Sequence, residues 1–274
     1  MKIFAYNVKN EETDDNMKLT ALVENVSNSD NFMCEHGLSL YIETSEHKIL
    51  FDTGQSSLFY ENANKLNIDL KDVDICVLSH GHYDHGGGLK TFLEINKKAK
   101  VYLNENCFGD YYNGEKYIGI DKTLMNNPRI IKTGDTYSVD ENLTLFTCND
   151  KEKKYDLGSF GLSKMSDDRK LDDDFLHEHY LMIEENDKSI LISGCSHKGI
   201  LNIPYWFDAD VVVGGFHFSK LPCDDKLREY AQILDNSGVT YYTCHCTGVE
   251  QFRFMKKYMK NLHYLSTAET IEIN

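Results

Sequence analysis

The chain has 274 residues, of which 41% are hydrophobic, so it can bury a full core without disulfides or an oligomeric partner. Its 44 acidic residues outnumber its 29 basic residues, and the formal net charge of -15 disfavours nucleic acid and anionic membrane surfaces as partners. We therefore expect a protein that acts on a small molecule.

The beginning of the chain gives no sign of export. The residues from Met1 to Asn7 lack an apolar core and a small-residue cleavage site, and they run into the acidic segment from Glu11 to Asp15. No apolar run approaches the roughly 18 residues that a membrane-spanning helix requires. The eight cysteines show no secreted disulfide framework. These features predict a cytoplasmic protein with reduced thiols, and they leave its oligomeric state open.

Short apolar runs predict strands along most of the chain. In chain order they cover residues 19–26, 38–43, 48–52, 73–78, 100–103, 143–147, 180–184, 189–193, 210–213, 239–243 and 270–273. Helical periodicity predicts helices over residues 56–67, 89–98, 222–238 and 248–260. Paired strands mixed with helices indicate an α/β protein built as an αββα sandwich, in which two mixed sheets lie between helices.

The middle of the chain has weaker periodicity. Between about residues 104 and 176, tyrosine, asparagine and acidic residues accumulate, including the acidic run from Asp167 to Asp174. We interpret 1–274 as a single domain with a small insertion at about 104–176. Because loops beside a site often shape its pocket, we expect this insertion to select the substrate.

The run from Ser79 to Gly88 places four metal-binding side chains within six positions, directly after an apolar stretch. Imidazole and carboxylate groups are ligands for zinc and for divalent iron or manganese. Residues two apart in an extended chain point the same way, so His80 and His82 can hold one ion. Asp84 and His85 then turn toward a second ion.

Further candidate ligands follow later strands, at the ends where catalytic groups gather. They are His177, His179, Cys195, His197, His217 and His245. Cys195 has a competing interpretation as a nucleophile beside His197. Cys244 and Cys246 flank a histidine, but a second paired thiol motif for a zinc knuckle is missing, so we interpret them as packing residues.

These motifs carry a resemblance to a known family. The sequence His-Gly-His-Tyr-Asp-His at 80–85 resembles the HxHxDH signature of the metallo-β-lactamase fold hydrolases, and 49–54 is similar to their strand ending in Asp-Thr-Gly. A wider set of segments resembles the branch of 7,8-dihydropterin-6-methyl-4-(β-D-ribofuranosyl)aminobenzene-5'-phosphate synthase. This set comprises residues 35–39, 51–55, 79–85, 194–197, 214–217 and 245–248.

The resemblance implies an αββα fold with the site at one edge of the paired sheets. It implies that His80 and His82 hold the first metal. His177 is our choice for the usual middle histidine of that metal, and His179 is the alternate.

The same resemblance assigns Asp84, His85 and His245 to the second metal. Cys195 stands where the superfamily often has a bridging aspartate, so we include it as a ligand while its exact role stays open. Asp52 would support the histidine loop from behind by fixing the orientation of an imidazole.

We therefore expect a metal-dependent hydrolase that acts through a metal-bound hydroxide on a small, phosphorylated or ester-bearing metabolite. It would bind one or two divalent ions, zinc first, with iron or manganese as alternatives. Asp84 would move the proton to the leaving group, and His197 is the second catalytic candidate. We assign His197, His217 and His36 to substrate binding.

Two other functions stay open at this point. The first is a transferase that condenses a pterin-like compound with a phosphoribosyl aromatic, as the name of the resembled branch implies. The second is a non-hydrolytic redox or binding module that holds iron. The fold alone does not decide among the three functions.

Overall fold

The structure is a computed structural model that describes residues 16–274. The predictions made for the first residues and for the acidic segment 11–15 lie outside the described residues. The strands are β1 (Met17–Val23), β2 (Ser39–Glu43), β3 (Lys48–Phe51), β4 (Ile75–Leu78), β5 (Lys100–Asn104), β6 (Tyr111–Asn113), β7 (Lys116–Tyr117), β8 (Ile130–Thr133), β9 (Thr136–Ser138), β10 (Leu143–Phe146), β11 (Leu162–Ser166), β12 (Arg169–Asp172), β13 (Tyr180–Glu185), β14 (Lys188–Ile192), β15 (Val211–Gly214), β16 (Thr240–Thr243), β17 (Leu262–Tyr264) and β18 (Thr270–Ile273). The α-helices are α1 (Leu58–Lys65), α2 (Tyr83–Gly86), α3 (Leu89–Ile95), α4 (Ile203–Trp206), α5 (Asp225–Asp235) and α6 (Val249–Met255). Short 3₁₀ helices lie at Glu105–Phe108, Lys122–Leu124, Ile200–Asn202 and His245–Thr247.

The described residues form two large mixed sheets, as the sequence predicted. The first sheet has the order β18-β1-β2-β3-β4-β5-β8, antiparallel from β18 to β3 and parallel from β3 to β8. The second has the order β17-β16-β15-β14-β13-β10-β9, parallel from β17 to β14 and antiparallel beyond it. The α/β fold class is confirmed.

Alternation along each strand explains the layers. On β3, Ile49 and Phe51 point into the apolar core between the two sheets, whereas Leu50 packs with Phe59 of α1 and Phe92 of α3. The second sheet repeats this arrangement, with a core on its outer face that includes residues of α4, α5 and α6. Successive strand residues face opposite ways, so both faces of each sheet are buried, and this burial gives the αββα order.

The predicted insertion divides between the sheets and a separate unit. Strand β8 joins the first sheet, while β9 and β10 join the second. Strands β6, β7, β11 and β12 form a small sheet in the order β12-β11-β6-β7. This small sheet attaches to the HxHxDH run, because the Tyr83 N–H donates to the Ile118 carbonyl at 2.8 Å and His82 pairs with Gly119.

The long strands and helices predicted from the sequence are present. The structure differs from the prediction at the ends of these elements and in short strands and helices that were not predicted. Helix α6 ends at Met255, five residues before the predicted end, because the chain turns at 256–258. Several short elements contain too few residues for a periodic signal. They are the four strands of the small sheet, the strands β8, β9 and β17, and the helix α4. No helix within residues 16–274 combines the length and the apolar character needed to span a bilayer.

The start of α5 provides a test of the helix signal in the sequence. The Asp224 side chain accepts the backbone N–H groups of Lys226 at 3.0 Å and Leu227 at 3.2 Å. Replacing Asp224 with Ala should lower the free energy of unfolding by about 1 kcal/mol, measured by urea denaturation. Glu229→Ala, in the exposed middle of the same helix, is the control and should change stability by less than about 0.5 kcal/mol. Equal losses in both variants would contradict the capping role.

Candidate metal centre

The candidate ligands meet at one edge of the sandwich. Strands β3 and β4 run parallel in the first sheet, and β14, β15 and β16 run parallel in the second. Their carboxyl ends therefore lie at matching edges, where ligand sites form in α/β proteins. The loops that follow them hold Asp52, His80, Cys195, His217 and His245.

Asp52 organises the loop that follows β4. Its Oδ1 accepts the Ser79 backbone N–H at 2.7 Å, and its Oδ2 accepts the Ser79 hydroxyl at 2.7 Å and the Nδ1–H of His85 at 2.6 Å. All three residues are fully buried. The bond to His85 fixes its ring and directs its Nε2 into the site.

His85 and His245 face each other through their Nε2 atoms, which lie 3.2 Å apart. The Nδ1–H of His245 donates to Asn25 Oδ1 at 2.8 Å, so its Nε2 presents a lone pair. Asp84 Oδ2 lies 3.6 Å from that Nε2 and 3.2 Å from Nε2 of His36. A cation or a proton must lie between these acceptors for the arrangement to be stable.

A second pair of imidazoles lies beside the first. His80 donates its Nδ1–H to the Ser79 hydroxyl at 2.8 Å, and its Nε2 lies 3.3 Å from Nε2 of His197. Burial, reinforced by neighbouring histidines, lowers the pKa of His80 and of His197 well below the usual value. Both rings are therefore neutral near pH 7, which is the form that binds metals.

Cys195 connects the two imidazole pairs. Its Sγ lies 3.1 Å from Nε2 of His85. The same sulfur falls within 4.8 Å of the ligand atoms of His85 and His245 in one group and of His80 and His197 in another. A thiol in this place can bind either ion or bridge both.

The orphaned nitrogen of His82 shows that the site fits a metal. Its Nε2 is buried, has no hydrogen-bond partner among residues 16–274, and lies 3.7 Å from Asp173 Oδ2. Its ring centroid lies 4.6 Å from that of His80 and 5.0 Å from that of His197. Imidazole, carboxylate and thiol groups form a ligand set typical of zinc, and a bound ion would satisfy the unpaired nitrogen.

The two candidates for the middle histidine lie in different places. His177 contacts His82, but its Nδ1 accepts the Gly81 N–H at 2.9 Å and its Nε2 lies 3.2 Å from Asp173 Oδ2. His179 lies near Thr133, with 3.5 Å between Nδ1 and Oγ1, and joins none of the ligand groups found in the described residues. His197 instead faces His80, and both group with Cys195 as possible ligands of one ion. The assignment of His177 stays a prediction.

The predicted substrate residues line an open cleft of about 140 Å³ beside these pairs. His36 has a side chain that is 56% exposed, and His217 packs between the rings of Phe160 and His197, each with centroids 4.4 Å away. Two further groups were not expected from the sequence. They are Lys116 and Lys220, which also line the cleft.

Sequence reasoning also missed two buried carboxylates behind the site. Glu178 accepts the His197 N–H at 2.7 Å, and Glu24 accepts the His245 N–H at 3.0 Å. Burial raises the pKa of Glu24 to about 7, against the lowering effect of its hydrogen bonds. In the sequence, each of these glutamates is visible only as a polar residue next to a predicted strand. Such residues are common in loops, so this signal is weak.

The two thiols that flank His245 have different surroundings. Cys244 lies in the apolar core between the sheets, as a packing residue should. Cys246 lines the cleft, and its Sγ accepts the His217 N–H at 3.3 Å. All eight cysteines are free thiols.

Comparison with known proteins identifies the family. The model of the metallo-β-lactamase superfamily matches residues 33–146. An uncharacterised protein of Methanocaldococcus jannaschii is 32% identical and aligns over 83% of this chain and 89% of its own length. The chain belongs to the metallo-β-lactamase superfamily. The resemblance drawn from the motifs is confirmed.

Two further relatives of this superfamily member span almost its whole length. The 7,8-dihydropterin-6-methyl-4-(β-D-ribofuranosyl)-aminobenzene-5'-phosphate synthase of the same organism is 30% identical and covers 94% of this chain and 97% of its own. The crystal structure of a metal-dependent hydrolase of the β-lactamase superfamily has a TM-score of 0.81 and 30% identity, and covers 94% and 99% of the two chains. The metallo-β-lactamase fold implies divalent metal binding, and the converging side chains supply candidate ligands.

Asp52 should be required for tight metal binding. In Asp52→Asn, the amide group cannot accept all three hydrogen bonds that the carboxylate accepts, so the ring of His85 loses its fixed orientation. We expect zinc affinity to fall by about 10–100-fold, measured by competition with a chromophoric chelator. Asp74→Asn is the matched control, because Asp74 lies 3.1 Å from the ring of His47 and does not line the cleft. Unchanged affinity in Asp52→Asn would contradict the orienting role.

Metal binding should depend on pH through His85. Burial lowers the pKa of His85, but the carboxylates of Asp52 and Asp84 together outweigh burial and raise it to about 9. At pH 7 the ring therefore carries a proton that a metal must displace. Apparent zinc affinity should rise with pH up to about 9, by up to about tenfold per pH unit for one displaced proton. Zinc titrations in a pH series test this, and an affinity that stays flat below pH 9 would contradict it.

Proposed function

We propose that this superfamily member is a metal-dependent hydrolase of a small anionic metabolite, either phosphorylated or ester-bearing. One observation carries the proposal: two adjacent pairs of imidazoles point their Nε2 atoms at each other, 3.2 Å apart for His85 and His245 and 3.3 Å apart for His80 and His197. Without a metal, a proton must lie between each pair of facing nitrogens, whereas zinc and similar ions bind such converging nitrogens directly.

The ligand assignment extends this observation to the surrounding side chains. We assign one ion to His80, His82 and His197, with His177 as the prediction from the sequence, and a second ion to Asp84, His85 and His245. Cys195 groups with His80 and His197 and also with His85 and His245, whereas Asp84 groups with His36 and His245, and His82 groups with Asp173 and His177. Zinc is the first candidate because the set mixes imidazole, carboxylate and thiol; iron and manganese are the alternatives. Bound divalent ions supply Lewis acidity and an activated water at neutral pH.

Asp84 and His36 form a route for the proton. Burial alone would raise the pKa of Asp84, but His85, His245 and His36 together lower it well below the usual value, so its carboxylate is ionised. The ionised carboxylate is in the form that receives a proton, and its low pKa means that it passes this proton on at once. It lies 3.2 Å from Nε2 of His36, whose ring reaches solvent. Asp84 thus serves as the acid–base group, and His36 connects it to solvent.

The charge of the cleft supports an anionic substrate. Lys116 and Lys220 lie at its rim, in a protein whose net charge is -15. The Lys116 Nζ contacts the Tyr83 hydroxyl at 3.0 Å, and neither lysine has a carboxylate partner within the described part of the chain. Amino groups that face a cleft in an acidic protein favour phosphate or carboxylate groups. His217 can donate to the oxygens of such a substrate, whereas His197, which the sequence also predicted to bind substrate, is assigned here to the first ion.

Metal content and turnover measured together test the proposal. We expect His82→Ala and Asp84→Ala each to lose metal, by elemental analysis, and to lower the hydrolysis of phosphodiesters, phosphomonoesters or lactones by at least about 100-fold. His263→Ala is the control, because His263 lies on the edge strand β17, stacks on Tyr242 of β16 and does not line the cleft. Full metal content and full turnover in either site variant would show that the assignment is wrong.

A second candidate function is a condensing transferase. It is favoured by the relative named as a dihydropterin ribofuranosylaminobenzene phosphate synthase, which aligns with 94% of this chain. The two functions differ in their products: a transferase would release diphosphate only when a pterin acceptor is present. Diphosphate release that requires the acceptor would favour the transferase, and ester cleavage in water alone would favour the hydrolase.

A further inference from the structure

A third set of metal-binding atoms lies beside the imidazole pairs. Sγ of Cys195, Sγ of Cys246 and a ring nitrogen of His217 lie within 4.8 Å of one another. Both cysteines are buried, His217 is partly buried, and all three residues line the cleft. Two sulfurs and an imidazole form a softer set than the histidines and Asp84.

The surroundings of Cys246 suit a sulfur ligand. Its Sγ accepts the His217 backbone N–H at 3.3 Å, which stabilises a thiolate. Gly215 leaves space for the sulfur, because a Cβ added at that position would lie 2.3 Å from Sγ. In the thiol form, the same sulfur donates to the Cys195 carbonyl at 3.6 Å. The thiol form is therefore held toward the Cys195 backbone, and the thiolate form is held by the His217 N–H.

His217 supplies an independent sign that a ligand is missing. Its Nδ1 is buried and has no hydrogen-bond partner among residues 16–274. The ring is held between Phe160 and His197, and the backbone of His217 adopts the left-handed conformation with φ 56°. A buried nitrogen without a partner costs free energy unless a ligand satisfies it.

We propose that Cys195, Cys246 and His217 form a sulfur-rich position for a thiophilic divalent ion of the zinc class. The position adjoins the two imidazole pairs, because Sγ of Cys195 belongs to all three groups. Thiolates favour zinc and cadmium over hard ions such as manganese and magnesium. The inference goes beyond hydrolysis and rests on the centre binding divalent metal.

Cadmium titration of the reduced, metal-free protein tests this position without any substrate. Each cadmium–thiolate bond adds charge-transfer absorption in the ultraviolet, so the wild type should show the signal of two thiolates. Cys246→Ser should lose about half of this absorption and bind the tightest thiolate-bound cadmium about 10–100-fold more weakly. Cys223→Ser is the matched control, because Cys223 lies outside the cleft before α5 and should leave both readouts unchanged.

The outcomes separate this inference from the proposed function. Full absorption and unchanged affinity in Cys246→Ser would overturn the sulfur-rich position, whatever the turnover. Two-thiolate absorption in the wild type without any ester hydrolysis would leave the position supported and refute the hydrolase. Since Cys246 is buried, Cys246→Ala and a urea unfolding curve of each metal-free variant accompany the titration. A loss of absorption supports the proposal only in a variant that is folded.

Discussion

Three buried carboxylates set the geometry of the centre. Asp52, Glu178 and Glu24 each accept a backbone N–H from a different loop that carries candidate ligands. These N–H groups belong to Ser79 after β4, His197 after β14 and His245 after β16. Removing a carboxylate from water costs free energy, and these charge-assisted bonds offset that cost only when the loops occupy one conformation. Each loop is therefore fixed through its backbone, and the imidazoles that it carries arrive at set positions.

The same loops contain strained backbone. Asp52, Ser196, His217 and His245 all have positive φ, between 48° and 59°. Non-glycine residues in this conformation cost about 1–3 kcal/mol each, and such strain persists where the surrounding structure over-determines it. Here the surrounding structure consists of the buried carboxylates and the two packed sheets. The stability of the sandwich is thus partly used to hold the candidate ligands in place.

Much of the fold followed from local patterns, and the rest depended on tertiary context. Apolar runs that end in His80, Cys195, His217 and His245 were visible as strand ends, because period and composition act over a few residues. Glu24, Glu178 and Asp173 were not visible, since an acidic residue in a loop is usually solvated and only the packed sheets show that these three are buried. The same reason explains Cys246: its sequence spacing from Cys244 is two residues, yet one thiol enters the core and the other the cleft.

The small sheet forms part of the cleft wall and contains no candidate ligand on its strands. Its strands supply Asn113, Lys116 and Leu162 to the wall of the cleft, but none of the residues assigned here as ligands. It is joined to the HxHxDH run by backbone bonds at Tyr83 and His82, which do not depend on side-chain identity. Changes of sequence in this small sheet can therefore alter the wall of the cleft while the candidate ligands keep their positions.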